Sequence, residues 1–284
     1  MWSKCMKGKY QPVIIIGAPR SGTNMLRDVL TRLKKVSTWP CDEINYIWRH
    51  GNLFYPSDEF PPELATDNVS YYVRKKFDWV AKKYGAEFVV EKTCANSLRV
   101  EFVDRILPVA KYIFIKRNPY DAVASAMKRW TAKLDIKYIL KKARFVPLTD
   151  LPYYGSKYLW NRIYRLFSKE KRLAFWGPKL NNMESLLKQY SLEEICALQW
   201  KKCVNRANEA FQQINKSRVF KIDYETFVQE PEEYLKQICN FLGLDYKKSD
   251  IRNAVYDVKV NSVGKGRKQL RKDQIDKISS VINS

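Results

Sequence analysis

The chain has 284 residues, 45% hydrophobic and 29% charged, which is enough apolar material for the core of one large or two small domains and too much for wholesale disorder. Lys and Arg number 52 against 30 Asp and Glu, and the net charge of +22 predicts an anionic partner: a nucleic acid, a membrane surface or a small polyanion. The single histidine, His50, and six scattered cysteines (Cys5, Cys41, Cys94, Cys196, Cys203, Cys239) without a C-x-x-C pair exclude most metallohydrolases, serine hydrolases and disulfide scaffolds.

Met1 to Lys9 is basic but lacks the apolar core of a signal peptide, and runs such as Val13 to Ile16 are far too short to span a bilayer, so a soluble, cytoplasmic protein without a membrane span is expected. Val13 to Ile16 reads as a buried strand, and Thr23 to Leu33 as a helix with Met25, Leu26, Val29, Leu30 and Leu33 on one face. Phe88 to Val90 and Tyr112 to Ile115 are further strands, with a helix over Ser97 to Leu107 between them. Leu192 to Ile214 is a long amphipathic helix, followed by a strand at Val219 to Ile222. Pro231 opens and Gly243 closes another helix, as expected for an N1 proline and a C′ glycine. Strands alternating with helices predict an α/β fold, a parallel sheet flanked by helices. No repeat, linker or domain break is visible, so residues 1–284 read as one domain.

Lys128 to Phe175 differs in character: 13 Lys or Arg, 3 acidic residues and ten aromatics predict a basic, aromatic helical insertion over the sheet. Either it covers a ligand, or it is a core-facing aromatic stripe with a solvated basic face.

Two loops carry the chemistry. The first, Gly17 to Asn24, joins the first strand to the first helix, where backbone N–H groups and the helix dipole favour an anion. Gly17 and Gly22 have the spacing of a nucleotide-triphosphate loop, but Thr23-Asn24 stands where Lys-Ser/Thr is required, so the usual lysine and magnesium-holding hydroxyl are displaced. Arg20 inside the loop supplies a cation that can fork onto phosphate or sulfate oxygens. In the second loop, Lys116-Arg117-Asn118-Pro119 puts a guanidinium at a strand tip, where an ATPase would carry a magnesium-binding Asp. Ser125 and Arg129, four residues apart, share a face of the following helix.

Gly17 to Thr23, together with Arg117-Asn118-Pro119 and Ser125 eight residues after Arg117, resembles the sulfotransferases that use 3′-phosphoadenosine 5′-phosphosulfate (PAPS), closest in layout to the tyrosylprotein and bacterial types. The resemblance runs from Pro12 to about Leu270 through Val90 to Thr93, Asp223-Tyr224-Glu225 and Ser262 to Lys268. It implies a P-loop nucleotide-kinase-like fold, PAPS as co-substrate, no metal, and a small-molecule or glycan acceptor with a hydroxyl or amine. Arg20, Ser21, Gly22, Thr23 and Asn24 would hold the 5′ end, and Arg117, Ser125 and Arg129 the 3′-phosphate. Tyr224, Ser262, Lys265, Arg267 and Lys268 would complete the cofactor site, the last four in a loop of the basic segment 247–284 that folds over the cofactor. Gly266 stands where many relatives carry Trp. The basic insertion is the least family-like part; residues 131–190 are expected as a helical insertion near the acceptor side, and a homodimer is left open.

Sulfuryl transfer needs in-line positioning and cations more than covalent help, and Lys92 with Arg20 would supply charge at the reacting group. A base must take the acceptor proton. Glu43, at the tyrosylprotein-type base position, ranks first and His50 second. Glu91 ranks third, because strand alternation turns it away from Lys92. Glu43 can also be read as a capping carboxylate, and Lys92 as a surface partner of Glu91. The competing functions are a P-loop kinase and a basic nucleic-acid-binding module. The missing Lys-Ser/Thr and strand-tip Asp count against the first, and the absence of a recognised DNA- or RNA-reading motif counts against the second.

Overall fold

Alternate side chains of each central strand enter two separate cores, which is why those strands read as unbroken apolar runs. In strand β1 (Gln11–Ile16), Ile14 and Ile16 face one core while Val13 and Ile15 face the other. The computed structural model describes residues 10–131, 144–167 and 175–284.

Helix α1 (Thr23–Thr31) follows β1, then the short strand β2 (Val36–Ser37) and helices α2 (Asn45–Arg49) and α3 (Asp67–Tyr84). Strand β3 (Phe88–Lys92), helix α4 (Val100–Ile106), strand β4 (Lys111–Lys116) and helix α5 (Pro119–Thr131) come next. Beyond them lie α6 (Leu151–Phe167), α7 (Met183–Gln189), α8 (Leu192–Gln213), strand β5 (Val219–Asp223), α9 (Tyr224–Gln229) and α10 (Pro231–Leu242). Helices α11 (Lys248–Val255), α12 (Lys265–Gln269) and α13 (Lys272–Asn283) close the chain.

The five strands form one parallel sheet in the order β2-β3-β1-β4-β5, as the alternation of strands and helices predicted. The four apolar runs are all strands, each slightly longer than read from the sequence. Among the elements that went unpredicted are β2, too short for a periodic pattern, and the helices α2, α3, α9, α11, α12 and α13; in α3 the Thr66 side chain caps the helix by accepting from the Val69 N–H. The helix expected from Ser97 starts at Val100, because Cys94–Leu98 winds first as a 3-10 turn. Gly243 ends α10 in the left-handed conformation, as expected of a C′ glycine.

A parallel sheet places the C-terminal ends of all its strands on one edge. The loop after β1, Lys92, Arg117 and Tyr224 therefore converge there without any special device. Among the described residues no helix is long and apolar enough to cross a membrane.

Candidate active site

The loop after β1 is built tightly. Arg20 holds a left-handed backbone at φ 68°, and Gly22 follows at φ 87°. A Cβ on Gly22 would come within 2.3 Å of the Tyr224 ring, so glycine is required there both by backbone angle and by space. A strained arginine at a loop tip is typical of a functional site rather than of a simple corner. Helix α1 has no side-chain cap and no acid in its first turn, so its N-terminal dipole is not neutralised locally. Ser21 Oγ and Asn24 Oδ1 are buried, and neither has a hydrogen-bond partner among the described residues.

The two motifs, a hundred residues apart in sequence, meet side chain to side chain. Arg20 Nε donates to Ser125 Oγ at 2.9 Å. Arg117 donates through Nη1 to the Arg20 carbonyl at 3.0 Å and through Nη2 to the Ser262 carbonyl at 2.7 Å. Its guanidinium lies 4.4 Å from the centre of the Tyr224 ring, and the Tyr224 hydroxyl is 2.5 Å from Ser262 Oγ. Partial desolvation, then the charges of Arg129 and Arg117, pull the Arg20 pKa below its ordinary value. A bound anion would relieve that crowding of cations.

Asp121, buried on the first turns of α5, ties the C-terminal loop to this end. Its carboxylate accepts from the Gly264 N–H at 2.7 Å and from the Gly266 N–H at 2.5 Å, and lies 3.9 Å from Arg117 Nη2. Gly266 sits so close to α5 that a Cβ would lie 2.4 Å from the Asp121 Cα and 2.6 Å from the Tyr120 carbonyl. No side chain, and no tryptophan in particular, fits at that position.

At the other end, Lys92 Nζ donates to Glu43 Oε1 at 2.9 Å, and the Cys94 N–H approaches the same oxygen at 3.4 Å. Burial alone would lower the Lys92 pKa, but the Glu43 carboxylate beside it holds the ammonium above its ordinary value. Glu91 points the other way, as strand alternation requires. Fully buried, it accepts from Thr93 Oγ1 at 2.5 Å and from Asn96 Nδ2 at 2.9 Å, and burial pushes its pKa up to about 7. Lys92 is therefore a buried partner of Glu43 and not a surface partner of Glu91.

A buried polar network grips the segment that carries Glu43. Thr93 Oγ1 accepts from the Ile44 N–H at 3.2 Å, and Arg99 Nη2 donates to Asn45 Oδ1 at 2.5 Å. Asn45 Nδ2 donates to Asp58 at 3.3 Å, and Asp58 also accepts from Arg49 at 2.8 Å and from the Lys179 N–H at 2.8 Å. Burial would raise the Asp58 pKa, but Arg99 and Arg49 hold it below the usual carboxylate range. The wall at Trp176 to Pro178 is fastened separately: buried Gln199 donates to the carbonyls of Trp176 at 3.0 Å and Pro178 at 2.9 Å.

One cavity of about 780 Å³ joins the two ends. Arg20, Gly22, Thr23, Asn24, Glu43, Lys92, Arg117, Ser125, Arg129, Tyr224, Ser262 and Lys265 all line it. Ser21 lies behind the wall. Arg267 and Lys268 line a smaller neighbouring cavity with Asn118 and Glu225. His50 lines neither; its Nδ1 is 2.9 Å from Asp150 and its ring stacks on Tyr72 at 4.0 Å. Sequence reasoning missed Asp121, whose spacing four after Arg117 was the available signal. It also missed Asn45, Lys128, Trp176 and Gln269, which only tertiary packing brings to the cavity. Part of the basic insertion, residues 132–143 and 168–174, lies outside the described residues. Among the described residues no group of three or more His, Cys, Asp or Glu side chains has the arrangement of a metal site.

A family model described as "Sulfotransferase family" matches residues 12–144 and 161–248. Solved structures agree with the fold. A sulfotransferase domain from the curacin biosynthetic pathway superposes with a TM-score of 0.55 at 14% identity, covering 96% of this chain and 98% of that one. The sulfotransferase domain of the Synechococcus PCC 7002 olefin synthase gives 0.55 at 15% identity, with 96% and 94% covered. A sulfotransferase from Mycobacterium avium gives 0.54 at 12% identity, with 97% and 76% covered. At these identities the likeness is one of fold. A comparison with curated protein sequences gives no significant match.

Proposed function

Because the chain belongs to the sulfotransferase family, we propose that it moves a sulfuryl group from PAPS to a hydroxyl or amine of a small-molecule or glycan acceptor, with Glu43 as the base. The observation that carries this reading is the convergence of Arg20, Ser125 and Arg117 at one end of a cavity whose other end holds the Lys92–Glu43 pair.

The residues fit the donor. An uncapped helix N-terminus and a cluster of mutually repelling guanidiniums favour a polyanion over water. PAPS, when bound, supplies the sulfuryl group and a bisphosphate leaving group. Arg20 and the first turn of α1 would hold its 5′ end, while Arg117, Ser125 and Arg129 would hold the 3′-phosphate and so distinguish it from ATP. Tyr224, Ser262 and Lys265 would close the site, fastened through Asp121. Arg267 and Lys268 would act at most on the rim.

In this reading Glu43 takes the proton of the acceptor hydroxyl or amine as the new S–O or S–N bond forms and the S–O bond to the leaving phosphate breaks. Lys92, kept charged by Glu43, turns its ammonium toward the charge developing on the leaving oxygen. Fixed cations suffice for these roles because a sulfuryl group carries less charge than a phosphoryl group. Trp176 to Pro178 and Asn45 would wall the acceptor side.

Thermal shift tests the donor half of the proposal. Adenosine 3′,5′-bisphosphate should raise the melting temperature, whereas ATP with magnesium and oligonucleotides should raise it less. A larger shift with ATP and magnesium would favour the kinase reading. Screening acceptors with sulfur-labelled PAPS then tests transfer itself.

A further inference from the structure

Among the described residues, most of the strongly exposed large apolar side chains gather on one side of the molecule. On α3, Tyr71, Trp79 and Tyr84 are exposed, and Tyr71, Lys75, Trp79 and Lys83 follow one another at four-residue steps along one helix face. Leu148 is 84% exposed, and Leu151, Leu159 and Trp160 of α6 are exposed beyond it. Phe54, at 87%, projects from the segment after α2. Contacts join the three pieces: Trp79 meets Phe145 at 6.1 Å, Phe54 meets Tyr153 at 5.6 Å, and His50 bridges Tyr72 and Asp150. Monomeric proteins seldom leave so much apolar surface together without a use.

The same side is basic. Lys83 lies over the Trp79 ring at 4.6 Å and over Tyr84 at 5.2 Å, Lys75 over Tyr71 at 5.9 Å, and Lys157 over Tyr153 at 4.4 Å. Aromatic rings and leucines flanked by lysines with long aliphatic stems match the boundary between headgroups and acyl chains, where rings and stems bury while ammonium groups stay wet. We propose that this face, formed by α3, the start of α6 and Phe54, docks on an anionic lipid membrane.

Two other occupants fit less well. A second copy of the chain across a two-fold axis would press lysines against lysines on a protein that already carries +22. Single-stranded nucleic acid would use the rings, but lysines already cover them, and Leu148, Leu151 and Phe54 offer a base nothing to hydrogen-bond. The proposal does not depend on sulfuryl transfer and draws on no residue of that cavity.

Flotation of the 284-residue chain with vesicles tests it. Vesicles of phosphatidylcholine mixed with phosphatidylserine should carry the protein, while pure phosphatidylcholine should carry much less. Lys75→Glu with Lys83→Glu should weaken binding by about thirtyfold or more, at roughly fivefold per surface lysine. Leu148→Ser with Trp160→Ser should weaken it comparably without altering net charge. Lipids brominated in the acyl chains should quench tryptophan fluorescence, and Trp79→Phe should remove part of that quenching. All these positions are exposed, so each variant should keep the wild-type melting temperature, which is checked first. Equal binding to both vesicle types, no quenching by brominated lipid, or wild-type binding by both double variants would overturn the proposal. So would tighter binding to an oligonucleotide, or concentration-dependent dimerisation, lost in the same variants.

Discussion

Glu43 and Glu91 lie near the same strand end, yet their surroundings give them opposite tasks. Glu43 lines the cavity against the Lys92 ammonium, whereas Glu91 is sealed beneath it among neutral hydroxyl and amide groups. Glu43→Gln keeps the shape and loses the basicity, so turnover should fall by about a hundredfold or more with bisphosphate affinity nearly unchanged. His50→Asn should cost far less, since His50 is engaged with Asp150 outside the cavity. Turnover and bisphosphate titration of both variants check this, and a dead His50→Asn enzyme beside an active Glu43→Gln enzyme would reverse the assignment. Glu91 makes a different prediction. Burial raises its pKa from the ordinary 4.5 to about 7, so the folded state holds the protonated form more tightly than the unfolded state does. That contribution is fully present below about pH 4.5 and is lost as the pH rises through 7, a loss of about 3 kcal/mol. Glu91→Gln imitates the protonated carboxyl and should remove most of that decline. Denaturant unfolding of both proteins at about pH 5 and about pH 8 measures the difference.

The C-terminal loop and α5 behave as one element. Asp121 accepts from the N–H groups of Gly264 and Gly266, and Gly266 packs directly on the α5 backbone. Because the two closest contacts of a Gly266 Cβ would be with backbone atoms, they cannot be relieved by a rotamer change. Gly266→Ala should therefore displace the loop and destabilise the protein by about 1–3 kcal/mol, the usual cost of overpacking. It should also weaken bisphosphate binding, since the loop brings Ser262 and Lys265 to the cavity. Calorimetry on the variant checks both effects, and unchanged bisphosphate affinity would detach this loop from the donor site. Pro119 made a helix start readable here, but the close approach of Gly266 to α5 carries no local pattern.

At the scale of the whole molecule, basic side chains gather in two places among the described residues: around the cavity, with Arg20, Arg117, Arg129, Lys128 and Lys265, and on the outer face that carries Lys75 and Lys83. With cations placed where related nucleotide-binding loops use magnesium, turnover should persist in EDTA. An assay with and without chelator, followed by magnesium add-back, tests this, and a loss restored by magnesium would point to phosphoryl rather than sulfuryl chemistry.

The sequence by itself determined the parallel α/β class, the four main strands, the glycine-containing loop after β1 and the guanidinium at the tip of β4. Those features rest on local rules: buried parallel strands are apolar throughout, glycines permit the loop, and a parallel sheet brings its strand tips to one edge. The pairing of Lys92 with Glu43 was legible only in part, since alternation turned Glu91 away but did not choose the partner. Tertiary structure decided that partner, the removal of His50 from the cavity, the wall at Trp176 and the anchoring by Asp121. Each of these joins residues far apart in the chain, where packing and desolvation select the contact and no sequence period records it.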